Sequence, residues 1–330
     1  MLNLQDPEII FTIKTTRQAS LLVRSIQAEM VTESLTKDDL SPVTVADFSA
    51  QALVGRLLME SFPADPLVAE EDSSALRKPE SKGALDAITL FLTEVRSDAT
   101  PTSVCEWIDH NRVDSARRFW TLDPIDGTKG FLRGDQYAIA LALVIDGRVE
   151  IGALGCPNLS EGYRPDMEGS GSLVVAVRGQ GTWVTDLHQP GIYEPLHVSG
   201  RNKAEEARIL RSFESGHTNI DQIDLFGQAL GSQAKPVLMD SQAKYAVLAS
   251  GKGDLMLRLL SASRPDYREK IWDQAAGSIV LEEAGGKISD IQGQVLDFTT
   301  GRSLKNNRGI LASNSLLHDS ALRALAAIGA

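Results

Sequence analysis

Cysteine is nearly absent: 330 residues hold only Cys105 and Cys156, too few and too isolated for a zinc site or a disulfide framework. A reducing cytoplasm is the expected setting. Positive charge is also scarce, with 33 Lys and Arg against 44 Asp and Glu, a formal net charge of −11 and a pI near 5.0. That balance argues against non-specific binding to nucleic acid or to an anionic membrane. A signal or membrane segment is missing from the N-terminal stretch, because Glu8 to Met30 carries Lys14, Arg17 and Arg24 among its apolar residues and reads as an amphipathic helix. There is no repeat and no low-complexity tract. What remains is the composition of an ordinary soluble globule, 42% hydrophobic and 23% charged, long enough for one large or two medium domains.

Periodicity predicts a second helix over Val45 to Phe62 and a short strand at Leu67-Val68-Ala69 that ends on Glu70-Glu71-Asp72. Ser73 to Arg118 reads as an insertion of polar turns around one helix near Leu85 to Val95. Ala138 to Ile145 and Val149 to Leu154 flank Asp146-Gly147, a hairpin signal, and Leu173 to Val177 with Thr182 to Val184 repeat the pattern. Beyond about residue 195 strands and helices alternate. Strands are expected at Ile209 to Ser212, Pro236 to Met239 and Asp254 to Leu260, and helices at Gln242 to Ser250 and Trp272 to Ala284, the latter stopped by Gly285-Gly286. The expected organisation is two packed lobes, residues 1–195 with antiparallel sheet and 196–330 of α/β character.

The most informative motif is Asp123-Pro124-Ile125-Asp126-Gly127-Thr128, at the end of the apolar run Phe119 to Leu122. Pro124 fixes one φ angle and Gly127 permits a positive one, so Asp123 and Asp126 can converge on one point. Oxygen ligands without nearby His or Cys favour a hard ion such as Mg²⁺. Thr128 adds a hydroxyl, and the amides after Asp126 can face an anion. Alone, the same residues read equally well as a β-turn. An acidic chain that bound a phosphorylated substrate would need metal ions and a local basic lining.

Other acids have local explanations too. Thr44 and Asp47 are spaced like a helix N-cap and its reciprocal acid, Glu70 and Glu71 are adjacent acids at a strand end, and Asp273 is expected to begin a helix where the dipole favours a carboxylate. Their order along the chain is what adds meaning. Thr44-x-x-Asp47, Glu70-Glu71, Asp123 to Thr128 and Trp272-Asp273-x-Ala-Ala-Gly277 together resemble the lithium-sensitive, magnesium-dependent phosphatases of the inositol monophosphatase superfamily. Lys37-Asp38-Asp39-x-Ser41-Pro42-Val43-Thr44, Lys129-Gly130-Phe131, Asp240-Ser241-Gln242-Ala243-Lys244-Tyr245 and Glu269-Lys270-Ile271-Trp272-Asp273 are similar to its 3′(2′),5′-bisphosphate nucleotidase branch. The resemblance runs from about Ile9 to Ser313.

This resemblance implies an α/β (α+β) fold, a layered αβαβα sandwich, holding two or three Mg²⁺ ions. Metal ligands would be Glu70, Asp123, the carbonyl of Ile125, Asp126 and Asp273, with Asp123 bridging. Asp47 and Thr128 would prepare the attacking water, with a hydrogen bond between them orienting both. Gly127 and Thr128 amides would hold the scissile phosphate, and His217, Ser241, Lys244 and Arg258 the nucleotide. The implied reaction takes adenosine 3′,5′-bisphosphate to AMP and phosphate, with 3′-phosphoadenosine 5′-phosphosulfate as a second substrate. The alternatives are an inositol mono- or polyphosphate 1-phosphatase and a nucleotide sensor without catalysis. No macromolecular partner is expected, and a monomer or a homodimer would serve.

Overall fold

The computed structural model describes residues 1–30, 41–160, 166–212, 220–260 and 266–330. Readings placed on Lys37 to Asp39 and His217 fall outside them. The first half opens with two long helices, α1 (Pro7–Met30) and α2 (Pro42–Ser61), followed by strand β1 (Leu67–Ala69), helices α3 (Lys82–Val95) and α4 (Pro101–Ile108), and strand β2 (Arg118–Asp126). After the short helix α5 (Thr128–Arg133) come five strands, β3 (Ala138–Ile145), β4 (Arg148–Cys156), β5 (Ser172–Val177), β6 (Gly181–Asp186) and β7 (Glu194–Leu196). These seven strands form one sheet in chain order, with β1 parallel to β2 and every later neighbour antiparallel. The β3–β4 turn is set by Asp146 and Gly147, both at positive φ (50° and 78°), the conformation a two-residue hairpin needs.

The second half contributes β8 (Ile209–Arg211), α6 (Ile220–Leu230), β9 (Val237–Leu238), α7 (Ala243–Ala249), β10 (Leu255–Arg258), α8 (Ala275–Glu283), β11 (Lys287–Ser289), β12 (Ile310–Ser313) and α9 (His318–Ala327). Its five-stranded sheet has the order β11-β12-β10-β8-β9.

Strand alternation sorts the apolar residues into three buried clusters and so into five layers. On β3, Ile139, Leu141 and Leu143 point toward α1 and α2, whereas Ala138, Ala140, Ala142 and Val144 point toward α7 and α8. The second cluster continues into one face of the smaller sheet through Leu210, Met256, Ile310 and Ala312. Ile209, Leu255, Leu257 and Leu311 turn the opposite way and pack with Phe226 of α6 and Ala321, Ala324 and Leu325 of α9. The result is the expected αβαβα sandwich, with α7 and α8 as a middle layer touching both sheets. No helix among the described residues is long and apolar enough to cross a membrane.

Two local expectations are corrected. The segment after residue 95 contains a second helix, α4, where turns were expected; Thr100 caps it by accepting from the Ser103 amide, and Pro101 opens its first turn. Helix α8 begins at Ala275, so Asp273 stands in the turn that precedes it rather than in the helix.

The middle layer approaches the large sheet closely because β4 offers no side chain at Gly152. A Cβ there would lie 2.5 Å from an Ile279 methyl and 3.0 Å from the Ala276 carbonyl oxygen. The backbone of α8 has no space to retreat into. Gly152→Ala is therefore expected to destabilise the fold by about 1–3 kcal/mol, the usual range for overpacking, as a lower urea midpoint with an unchanged m-value.

Candidate active site

A cavity of about 480 Å³ opens where the end of β2 meets the start of α7 and the turn before α8. Its lining includes Glu70, Asp123, Ile125, Asp126, Gly127 and Thr128 from the first half, and Ser241, Lys244, Arg258 and Asp273 from the second. Strand β2 continues through Pro124 to Asp126, with its pairing to β3 slipping between Asp123 and Asp126. That irregularity is the local cause of the convergence, because it turns Asp126 toward the same space as Asp123. Gly127 then adopts φ 89°, and a Cβ there would come within 2.7 Å of Ser241. No other residue fits this junction.

The acids crowd one another. Asp123 is 3% exposed and its Oδ1 is buried without a hydrogen-bond partner among the described residues. Burial first, then Asp126, Glu70, Asp273 and Asp47, push its carboxyl well above the usual range. Asp273 is displaced upward by burial despite Arg258, with Glu269, Asp126 and Glu70 adding to the rise. Glu70, exposed at the cavity rim but crowded by protein, is pushed from an ordinary 4.5 up to about 7 by desolvation, Glu71 and Asp126. Asp47 does not line the cavity. It is buried behind it on α2, and burial, Glu71 and Glu70 hold its carboxyl well above the carboxylate range.

Cationic side chains share the lining. Lys244 is buried, with its ammonium donating to Ser212 Oγ at 3.1 Å and to the Met239 carbonyl oxygen at 3.2 Å; desolvation lowers its pKa to about 8. Arg258 pairs with Glu269 at 3.1 Å and with Asp273 at 3.7 Å. Lys270 lies on the same lining.

Ten of the residues expected from sequence therefore share one space and Asp47 stands just behind it, while His217 lies outside the described residues. Two expectations about Asp47 and Thr128 are corrected. Helix α2 starts at Pro42 after Ser41, so Thr44 lies inside the first turn and does not cap it. The Thr128 hydroxyl donates to the Ile125 carbonyl oxygen at 3.3 Å and not to Asp47. Sequence reasoning missed Arg302, whose guanidinium stacks 4.5 Å over the Trp272 ring and donates to the Glu70 carbonyl oxygen at 3.3 Å. A lone arginine in a polar loop so far along the chain gives no signal of that contact. Gln242 stood inside a quoted motif, but nothing in its type marked it as a structural hub.

Do these residues suit a divalent cation? The donors are all oxygens, and a buried carboxylate oxygen without a partner is the atom a hard ion would satisfy. No three His, Cys, Asp or Glu side chains among the described residues close into a ready cage. An open set of carboxylates suits Mg²⁺, which usually keeps water and substrate oxygens in its shell.

An acid-lined cleft that also holds Lys244 and Arg258, with a glycine-led helix start on its lining, belongs to the class of sites that perform phosphoryl-transfer hydrolysis. Comparison gives the family: the chain matches the inositol monophosphatase family over residues 4–330, and it belongs to that family. It is 39% identical to a protein named 3′(2′),5′-bisphosphate nucleotidase from Schizosaccharomyces pombe, over 98% of this chain and 96% of the relative. A protein of the same name from Oryza sativa is 41% identical over 96% and 93%. Among solved structures, the Thermotoga maritima IMPase superposes with a TM-score of 0.65 at 20% identity, covering 98% of each chain. CysQ from Bacteroides thetaiotaomicron gives 0.63 at 18%, covering 93% and 97%.

Carboxyls whose folded pKa is raised stabilise the fold fully at low pH and lose that contribution as pH rises through the folded value. For Glu70 the window runs from 4.5 to about 7. The metal-free protein is expected to lose thermal stability across that window, and Mg²⁺ to restore it at pH 7 while releasing protons. Thermal melts with and without Mg²⁺ at several pH values check this. An unchanged melting temperature from pH 5 to 7 without metal would contradict it.

Proposed function

We propose that this chain is a Mg²⁺-dependent 3′(2′),5′-bisphosphate nucleotidase that converts adenosine 3′,5′-bisphosphate to AMP and phosphate, with 3′-phosphoadenosine 5′-phosphosulfate as a second substrate. One observation carries the reading. A single cavity is lined both by a carboxylate cluster suited to metal and by two cations, buried Lys244 and partly buried Arg258, and a substrate with two phosphates would use both. The names of the relatives agree with it.

Glu70, Asp123, Asp126, Asp273 and the Ile125 carbonyl would hold two or three Mg²⁺ ions, which supply charge neutralisation and an acidified water when bound. The protein's own tasks are binding and proton management. The amides of Gly127 and Thr128 open α5, where first-turn amides have no intrahelical partner, and they hold the scissile phosphate. Lys244 has three donors and spends two on Ser212 and Met239, leaving one for the second phosphate. Arg258 has five donors, so it can keep Glu269 while donating to that phosphate. An anion there also favours the charged form of Lys244, whose pKa burial depresses. Thr128, after turning its hydroxyl away from Ile125, orients the attacking water, and Asp47 accepts the proton. Every residue named belongs to one chain, as a monomer or a homodimer would allow. Two free, buried thiols fit the reducing cytoplasm expected from composition.

Phosphate release should strongly favour adenosine 3′,5′-bisphosphate over inositol 1-phosphate and fructose 1,6-bisphosphate at equal concentration. Preference for inositol 1-phosphate would replace the nucleotide reading with the family's other chemistry, and no release from any substrate would favour the sensor. Asp47→Asn should lower kcat by at least about 100-fold, the lower range for losing a general base, with a smaller change in KM. Wild-type turnover in that variant would remove Asp47 from the mechanism. Lys244→Ala should raise KM for the bisphosphate far more than it lowers kcat at saturating substrate.

A further inference from the structure

Resting on the metal site proposed above, we infer that Gln242 is a positioning residue that sets the separation of Asp126 and Asp273, and with it the affinity of the site for Mg²⁺. The two acids come from opposite halves of the chain, one at the end of β2 and one in the turn before α8. Neither half alone fixes their spacing. Gln242 touches both sides. Its backbone N–H donates to Asp126 Oδ2 at 2.8 Å. Its side-chain amide donates to the Trp272 carbonyl oxygen at 2.9 Å, next to Asp273, and its Oε1 accepts from the Gly277 N–H at 3.1 Å in the first turns of α8.

The geometry leaves this side chain little freedom. Gln242 is 2% exposed, with donor and acceptor ends of its amide both engaged, so a rotation would orphan buried polar groups. The two residues before it hold its backbone in place. Asp240 is ion-paired with Arg133 of α5, and Ser241 sits at φ 67° against Gly127. Strain of this kind persists only where surrounding contacts impose it. A parallel chain of bonds, Tyr245 hydroxyl to Gln274, Gln274 to Glu269 and Glu269 to Arg258, braces the same turn from the other side. Glutamine suits the position because it offers a donor and an acceptor without adding a charge to an already acidic cluster. Groups that orient metal ligands without touching the ion typically change its affinity about 10- to 100-fold when removed.

The test is Mg²⁺ binding to the intact, substrate-free protein by isothermal titration calorimetry, for wild type, Gln242→Leu, Gln242→Glu and Asp126→Asn. Gln242→Leu deletes both side-chain bonds, and Gln242→Glu keeps size and acceptor while losing the donor to Trp272. Both should weaken Mg²⁺ binding about 10- to 100-fold, and raised Mg²⁺ should recover much of the lost turnover with substrate KM little changed. If Gln242→Leu does not fold, the Gln242→Glu titration decides. Lower thermal stability with wild-type Mg²⁺ affinity would make Gln242 merely a packing residue and overturn the inference, while weakened binding in Asp126→Asn would leave the metal site standing. Wild-type affinity in Asp126→Asn as well would overturn both.

Discussion

Like charges held together out of water are the constraint around which the rest of the molecule is organised. Asp123, Asp126, Asp273, Glu70 and Asp47 repel one another, and burial raises the cost of ionising Asp123, Asp273 and Asp47. Such a cluster destabilises a fold unless protons or cations neutralise it. Several specific contacts nevertheless keep the acids in place. A slipped register bends β2 inward, Gly127 lets the chain approach Ser241, and Arg302 ties the rim at Glu70 to the Trp272 ring. Stability given up at the cleft is recovered in three apolar clusters that fill the spaces between five layers.

Cationic side chains in the cleft face a related problem. An isolated buried lysine tends to lose its proton, and an isolated buried arginine is costly. Lys244 keeps two oxygen acceptors and Arg258 keeps two carboxylates, so each is housed in the absence of substrate while retaining donors for an anion. Arg258 also joins the two ends of the cavity, since one of its partners, Asp273, belongs to the acidic cluster. Charge at one end is therefore felt at the other through a single side chain.

Much of this architecture can be read from residue order. The apolar run of β3, the Asp146-Gly147 turn and the glycines after α8 are local signals that the tertiary structure leaves unchanged, and the acids Glu70, Asp123, Asp126 and Asp273 land in one cavity as their order suggests. Where the reading failed, the deciding forces were non-local or locally ambiguous. Thr44 and Asp47 have the spacing of a capping pair, but Pro42 starts the helix earlier and leaves Asp47 buried within electrostatic reach of Glu70 and Glu71. Asp273 precedes its helix because the turn before Ala275 is held by Gln242 and by the backbone of Ile271. Helix α4 carried its Thr-Pro-x-Ser start in plain view, yet its short length gave little periodicity to detect. Contacts such as Arg302 to Glu70 join segments 232 positions apart and have no local signature.

The sharing of the middle layer has a consequence for how the chain is made. Much of the cover on the inner face of the large sheet comes from α8, more than 100 positions after β3 and β4. As the polypeptide leaves the ribosome, a nearly complete seven-stranded sheet therefore presents Ala138, Ala140, Ala142, Val144 and their neighbours to solvent until the last fifth of the chain emerges. Exposed apolar surface of this kind invites aggregation. Asp273 arrives in the same late segment, so the cleft's carboxylates are not all assembled while the first half folds. The interval before α8 appears is when a chaperone would have the most surface to hold.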